Sequence, residues 1–348
     1  MLNILKLQKQ LVEVALPSGF EKPQGKLLAE LAKPFVDEVF SDALGNVYCH
    51  KKGPGKRMMF PAHMDVIGMM ITFVDDKGFL RFEPIGGHSP AGLIGITVRL
   101  ESGVRGTIRA DAAADVFKHG FGDVDVHDLY IDIGARDAAD ARNFVQEGDP
   151  VHLNTYHQEL LNGLLSARAI DDRGGAFIIL EALKRAKERG CKIGVYAATT
   201  VGEETTMRGA HWAGSRIRPA VAIAVDVTYA QDYPGTDAGD SGDVKLGGGP
   251  VICNSSIANK KVNDLLKVCA AAKGIPYQME SFVGRTGTDA DKIHFANQGI
   301  TTALLSLPLR YMHSPSEVCH FDDIENSIEL LARFLCAIDE NTNLDPFC

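Results

Sequence analysis

Short apolar runs that end in acids or histidines constrain this chain more than any other feature. Met58-Met59-Phe60 leads to His63 and Asp65, and Ala169-Ile170 to Asp171 and Asp172. Ile193–Gly202 leads to Glu203 and Glu204, Ala220–Val225 to Asp226, and Ala303–Leu307 onward to His313. A lone carboxylate inside an apolar core is costly, so such residues belong at the ends of strands. In open α/β sheets the carboxyl ends of several strands meet at one crevice. Hard oxygen donors mixed with imidazole suit zinc, cobalt or manganese, and one carboxylate can bridge two ions. The pattern predicts an α/β fold with a two-metal hydrolytic centre.

Bulk properties narrow the class. With 348 residues the chain is long for one ordinary core and fits two domains. A net charge of −9 and the lack of a basic stripe argue against nucleic acid and anionic membrane as partners. Seven cysteines without a C-x-x-C pair read as reduced thiols of a cytoplasmic protein. No run of about 18 apolar residues offers a membrane span. Met1–Ala15 reads as an amphipathic helix and not as a signal peptide, because lysines and glutamines interrupt its apolar positions.

The periodicity changes twice along the chain. Residues 1–71 read as α/β, with a helix over Pro23–Leu31 and strands at Val36–Phe40, Asn46–His50 and Met58–Ala62. Residues 72–164 give short strands separated by turns such as Asp75-Asp76-Lys77-Gly78, the signature of a small β-barrel or sandwich. One helix is expected there near Ala138–Val145. From 165 onward the α/β rhythm returns, with a helix over Gly174–Arg189 closed by Gly190. Strands are expected at 193–200, 220–227 and 301–307, and helices at Lys260–Lys273, Ala290–Asn297 and Ile324–Ile338. The strand-end acids and histidines all fall outside 72–164. His88, His119, His127, His152 and His157 of that segment read mostly as surface or core residues. Gly235–Gly249 lacks apolar periodicity and reads as a functional loop.

The residues suggest roles. His63 and Asp65 share one side of an extended segment. His63 can bind a metal while Asp65 holds its other ring nitrogen. Asp171 and Asp172 open a helix, where a carboxylate is favoured simply as a cap. The metal reading makes Asp171 a bridging ligand and pairs Arg173 with a nearby acid. Glu203 and Glu204 are like charges at the end of one strand, and a ligand beside a general base resolves the conflict.

Taken together, several motifs resemble the tetrahedral (TET) aminopeptidases, the forty-second family of metallopeptidases. They are Ala62-His-Met-Asp-Val-Ile-Gly68, Ala169-Ile-Asp-Asp-Arg173, Glu203-Glu204 with Arg208-Gly-Ala210, Gly287-Thr-Asp-Ala290 and Arg310-Tyr-Met-His-Ser-Pro315. Ile131-Asp-Ile-Gly-Ala135 and Glu147-Gly-Asp-Pro-Val151 extend the likeness across the β segment. The resemblance implies a mixed-sheet α/β/α metallopeptidase domain, residues 1–71 and 165–348, with an inserted β-barrel or sandwich, 72–164, for oligomerisation or gating. It implies two divalent ions, zinc or cobalt and less typically manganese. His63 and Asp226 would hold one, Glu204 and His313 the other, and Asp171 both. Glu203 would be the general base, Asp65 would orient His63, and the Asp171–Asp172 peptide would be cis. The implied activity is release of the N-terminal residue from short peptides inside a homo-oligomer, a dodecamer built from dimers.

Two positions depart from the family pattern. Val66 stands where an acid usually follows H-x-D, and Thr205-Thr206 replace Val-Gly after the glutamate pair. Neither removes a candidate ligand or base, so they bear on specificity. Two other readings share parts of the pattern: a metal-dependent deacylase or carboxypeptidase of N-acyl amino acids, and a non-catalytic assembly protein on the same scaffold. The full donor-and-base set disfavours the latter.

Overall fold

The fold is seen in a computed structural model that describes residues 16–110, 124–154, 157–237, 239 and 242–344. The expected N-terminal helix, His119 and Cys348 lie outside the described residues. Helix α1 (Lys22–Ala32) carries a proline in its first turn, where no intrahelical N–H is needed. It is followed by β1 (Glu38–Ser41), β2 (Val47–Lys51) and β3 (Met58–His63). The chain then leaves this layer for six strands, β4 (Gly68–Val74), β5 (Leu80–Ile85), β6 (Thr97–Leu100), β7 (Arg105–Ala110), β8 (Leu129–Asp132) and β9 (Pro150–Leu153). They close into a barrel in the order β4-β5-β8-β7-β6-β9. Alternate residues such as Met69, Ile71, Val98, Leu100 and Ile131 fill its own core.

Two short strands, β10 (His157–Glu159) and β11 (Leu164–Ala167), lead back to the first layer. Next come α2 (Ile170–Glu188), β12 (Val195–Thr200), α3 (Arg208–Ile217) and β13 (Val221–Tyr229). Then follow β14 (Val251–Ser255), α4 (Lys260–Ala271), β15 (Gln278–Phe282), β16 (Thr301–Leu309), β17 (Glu317–His320) and α5 (Phe321–Ala337). The eight-stranded mixed sheet runs β1-β2-β12-β3-β13-β16-β14-β15, and β10-β11-β17 form a small sheet beside it.

Both faces of the large sheet are covered, which explains the continuous apolar runs of its central strands. Met58, Phe60 and Ala62 of β3 and Val221, Ile223 and Val225 of β13 pack on one side, with α2 and α5. Met59, Ala198 and Ala222 face the opposite side, against Ala210 and Ala213 of α3. No helix of the described residues is long and apolar enough to cross a membrane.

Sequence expectation and structure differ at several points. Helix α2 starts at Ile170, but Asp171 and Asp172 have non-helical backbone angles. The helix expected over Ala290–Asn297 is a single turn, Ala290–Ile293. Helix α3 and strands β14 and β15 were not among the expected elements. Cys191 and Cys336 form a disulfide, with Cα atoms 4.7 Å apart. This corrects the expectation of seven reduced thiols. Cys191 lies just beyond the end of α2, and Cys336 sits on the last turn of the α5 helix that packs beside it. Cys49, Cys253, Cys269 and Cys319 are free and buried.

Candidate metal centre

The site forms where two parallel strands part. β3 and β13 pair at Val221 with Met58 and Ala222 with Met59. Counting four residues on from the second pair brings His63, the last residue of β3, and Asp226, within β13, to the same face. The His63 amide does not continue the ladder; it donates to Asp172 Oδ2 at 3.2 Å. The Asp171–Asp172 peptide, which is cis, enters this gap.

The carboxylate of Asp171 spans the opening. Its Oδ1 is 3.0 Å from His63 Nε2 and its Oδ2 is 3.2 Å from His313 Nε2. Asp226 lies 3.9 Å from the same His63 nitrogen, and Glu204 Oε2 lies 3.3 Å from His313 Nε2. Ligand atoms of His63, Asp171 and Asp226 all lie within 4.8 Å of one another, as do those of Asp171, Glu204 and His313. All five residues named as ligand candidates therefore converge, in two groups that share Asp171. Glu203 lines the same cavity, about 430 Å³ in volume, and its Oε1 is buried with no hydrogen-bond partner.

Supporting residues fix this arrangement through the backbone. His63 Nδ1 is 3.0 Å from the Asp65 carbonyl and 3.6 Å from the Asp65 carboxylate. The Asp65 carboxylate itself accepts from the Ser18 hydroxyl and from the amides of Glu203 and Glu204, at 3.1 and 3.2 Å for the amides. Glu317 plays the matching part opposite. Its two oxygens accept from the amides of Ile170, Asp171 and His313 at 2.7, 3.2 and 3.0 Å. Sequence reading missed Glu317, although it stands only four residues beyond His313. Asp289 was quoted only as part of a motif; it accepts from the Thr200 hydroxyl behind the site. Arg173 does not pair with an acid as expected. It is buried and donates to the carbonyls of Ala169 and Arg168, because the turn around the Asp171–Asp172 peptide folds these oxygens over it. None of the described residues of Gly235–Gly249 lines the cavity; the amides of Gly247 and Gly249 donate to Asp323 instead.

Among the described residues, the turn after β5 brings the barrel to the site. Gly86 and Gly87 follow β5, and a Cβ on Gly87 would come within 3.1 Å of His313 Nδ1. Beside them, His88 Nε2 bonds the Gly68 carbonyl, and burial lowers its pKa to about 4.

The donor chemistry fits divalent ions. Burial pushes Glu203 up to about 11, and burial with the Asp171 charge pushes Glu204 up to about 8. Burial likewise raises Asp226 to about 8. Burial acts against charge on Asp171 too, yet the hydrogen bonds from His313 and His63 hold it below the ordinary range. So many carboxylates in one cavity, with no lysine or arginine among the described residues of its lining, need cations or protons to coexist. Zinc and its neighbours accept this mixture of imidazole and carboxylate.

Comparison with known proteins agrees. A profile of the M42 glutamyl aminopeptidase family matches residues 45–330. A putative aminopeptidase of Acetivibrio thermocellus is 37% identical over 337 residues, covering 96% of this chain and 99% of the relative. The crystal structure of a TET aminopeptidase from a marine sediment archaeon of the Thaumarchaeota superposes with a TM-score of 0.90 at 30% identity, covering 96% of each chain. The TET1 peptidase of Pyrococcus horikoshii, which can assemble into a tetrahedron or a large octahedral shell, matches with a TM-score of 0.85 at 29% identity, over 97% of this chain and 100% of that one. The chain belongs to the M42 family of metal-dependent aminopeptidases and is a hydrolase of peptide bonds.

Proposed function

We propose that His63 and Asp226 hold one divalent ion, that Glu204 and His313 hold a second, and that Asp171 bridges them. The observation that carries this reading is the pair of donor groups sharing Asp171, with the unpaired Glu203 oxygen beside them. Zinc or cobalt matches the donors best, and manganese is also compatible. Ions bound there would supply Lewis acidity for the attacking water and the scissile carbonyl. Glu203 takes the proton of that water and passes it to the leaving amine. Asp65 orients His63 and positions the Glu203–Glu204 backbone. The cavity admits the N-terminal residue of a short peptide, and its carboxylates attract the free α-amine.

Residues 1–71 and 165–348 are assigned to catalysis and 72–164 to assembly. The closed barrel between Gly68 and Leu153, with exposed Phe73 and Phe144 on its surface, supports this division. The expected product is a closed homo-oligomer of about twelve chains built from dimers. Among the described cysteines, the four free buried thiols support a cytoplasmic setting, whereas the Cys191–Cys336 pair does not.

The test is to strip the purified protein with a chelator and restore it with zinc, cobalt or manganese. Aminoacyl-anilides should be cleaved only after restoration, with two ions counted per chain. N-acylated substrates cleaved in place of free aminoacyl ones would overturn the reading. Light scattering at micromolar concentration checks the assembly, and a fully active monomer would remove it.

A further inference from the structure

The metal-centre reading leaves one carboxylate of the cavity unused. Glu280 lies at the middle of β15 and is only 2% exposed. Register explains how a residue on the outermost strand reaches the site. Glu280 pairs with Cys253 on β14, while Ser306 of β16 pairs with Val251 on β14 and with Asp226 on β13. Strand alternation then places Asp226, Thr228, Ser306, Cys253 and Glu280 on one face of the sheet. Thr228 follows the candidate ligand Asp226 by two residues, a distance of about 7 Å along the strand.

The partners of Glu280 are neutral. The Thr228 hydroxyl donates to its Oε2, the Ser306 hydroxyl donates to its Oε1 at 3.3 Å, and the Cys253 thiol adds a third contact. Burial raises its pKa, these bonds lower it, and no cation contributes. Among the described residues, no lysine or arginine lines the cavity. Ions bound between His63 and His313 would offset the carboxylates around them and leave Glu280 uncompensated. Phe282, Leu304 and Met312 contribute apolar wall to the same cavity. A cavity that combines apolar wall with a buried carboxylate matches a long aliphatic stem with a cationic tip.

We propose that this cavity receives the side chain of the substrate's N-terminal residue and that Glu280 selects lysine or arginine there. The assignment rests on the aminopeptidase reading and deepens it. The hydroxyls of Thr228 and Ser306 hold the carboxylate toward the cavity. An N-terminal glutamate is disfavoured, because it would bring a second carboxylate against Glu280 without a counter-ion.

The experiment uses the metal-loaded full chain and three anilides: lysyl, norleucyl and glutamyl. Norleucine keeps the stem length and lacks the charge. In the wild type kcat/KM should be greater for lysyl than for norleucyl by on the order of 10-fold or more, with glutamyl the slowest. Glu280→Gln keeps the shape and removes the charge. It should lower the lysyl-to-norleucyl ratio by a similar factor, chiefly through KM for the lysyl substrate. A purely structural role would lower all three substrates together and leave the ratio in place. Competition by free L-lysine and free L-norleucine on the wild type gives an independent readout that needs no variant, and L-lysine should inhibit more strongly. A wild-type preference for norleucyl or glutamyl, or an unchanged ratio in Glu280→Gln, overturns the assignment and leaves the aminopeptidase reading standing. Failure to cleave any anilide overturns the aminopeptidase reading, and the assignment falls with it.

Discussion

The two donor groups share Asp171 but are built differently. His63, Asp171 and Asp226 are all buried; His63 ends β3, and Asp226 lies within the neighbouring strand β13 of the large sheet. Glu204 and His313 lie on loops, and the His313 side chain keeps 30% of its exposure. The first group inherits its geometry from strand register. The second depends on acids that hold loop amides, Asp65 for Glu203 and Glu204 and Glu317 for His313. A sheet positions side chains by its ladder, whereas a loop needs its own hydrogen bonds to do so.

The shared residue is the strongest test of that contrast. Asp171→Asn should abolish activity and lower the occupancy of both ions, while His313→Ala should empty chiefly the loop-built half. Elemental analysis of dialysed protein reads both outcomes; two tightly held ions in the Asp171 variant would remove the bridge. Next in size is Glu203→Gln, which should keep both ions yet slow turnover by about 10²- to 10⁴-fold, the usual cost of losing a positioned proton acceptor. Normal turnover there would exclude Glu203 as the base. The smallest effect sharpens the comparison itself. Glu317→Ala should weaken metal affinity by about 10- to 100-fold, as loss of an outer supporting partner does. Its effect should be greater on the His313 half than on the His63 half, and equal loss from both would show that the loop group is as self-supporting as the strand group.

Some of the site could be read before any coordinates. Each strand-end acid or histidine breaks an apolar run, and a local break in periodicity is visible in a window of a few residues. That is why His63, Asp171, Glu203, Glu204, Asp226 and His313 could all be nominated. Glu317 was overlooked because its short strand, Glu317–His320, has no apolar run leading into it. Glu280 was overlooked because Gln278–Phe282 is an edge strand with one buried position in a mixed setting. Arg173 was assigned an acidic partner because charge pairing is the commoner use of arginine, whereas here the backbone carbonyls fold onto it.

Sequence alone determined the alternation of α/β and β segments, the closure of α2 near Gly190 and the residue types available for chemistry, since all of these follow from periodicity and local conformational preference. Only the tertiary structure decided which of those residues meet. The parting of β3 from β13, the entry of Asp171 and Asp172 into the gap, and the reach of Glu280 to Thr228 all depend on strand order. Strand order joins residues more than 100 positions apart, as His63 and Asp171 show. Such contacts arise from the packing of whole layers and leave no local mark in the chain.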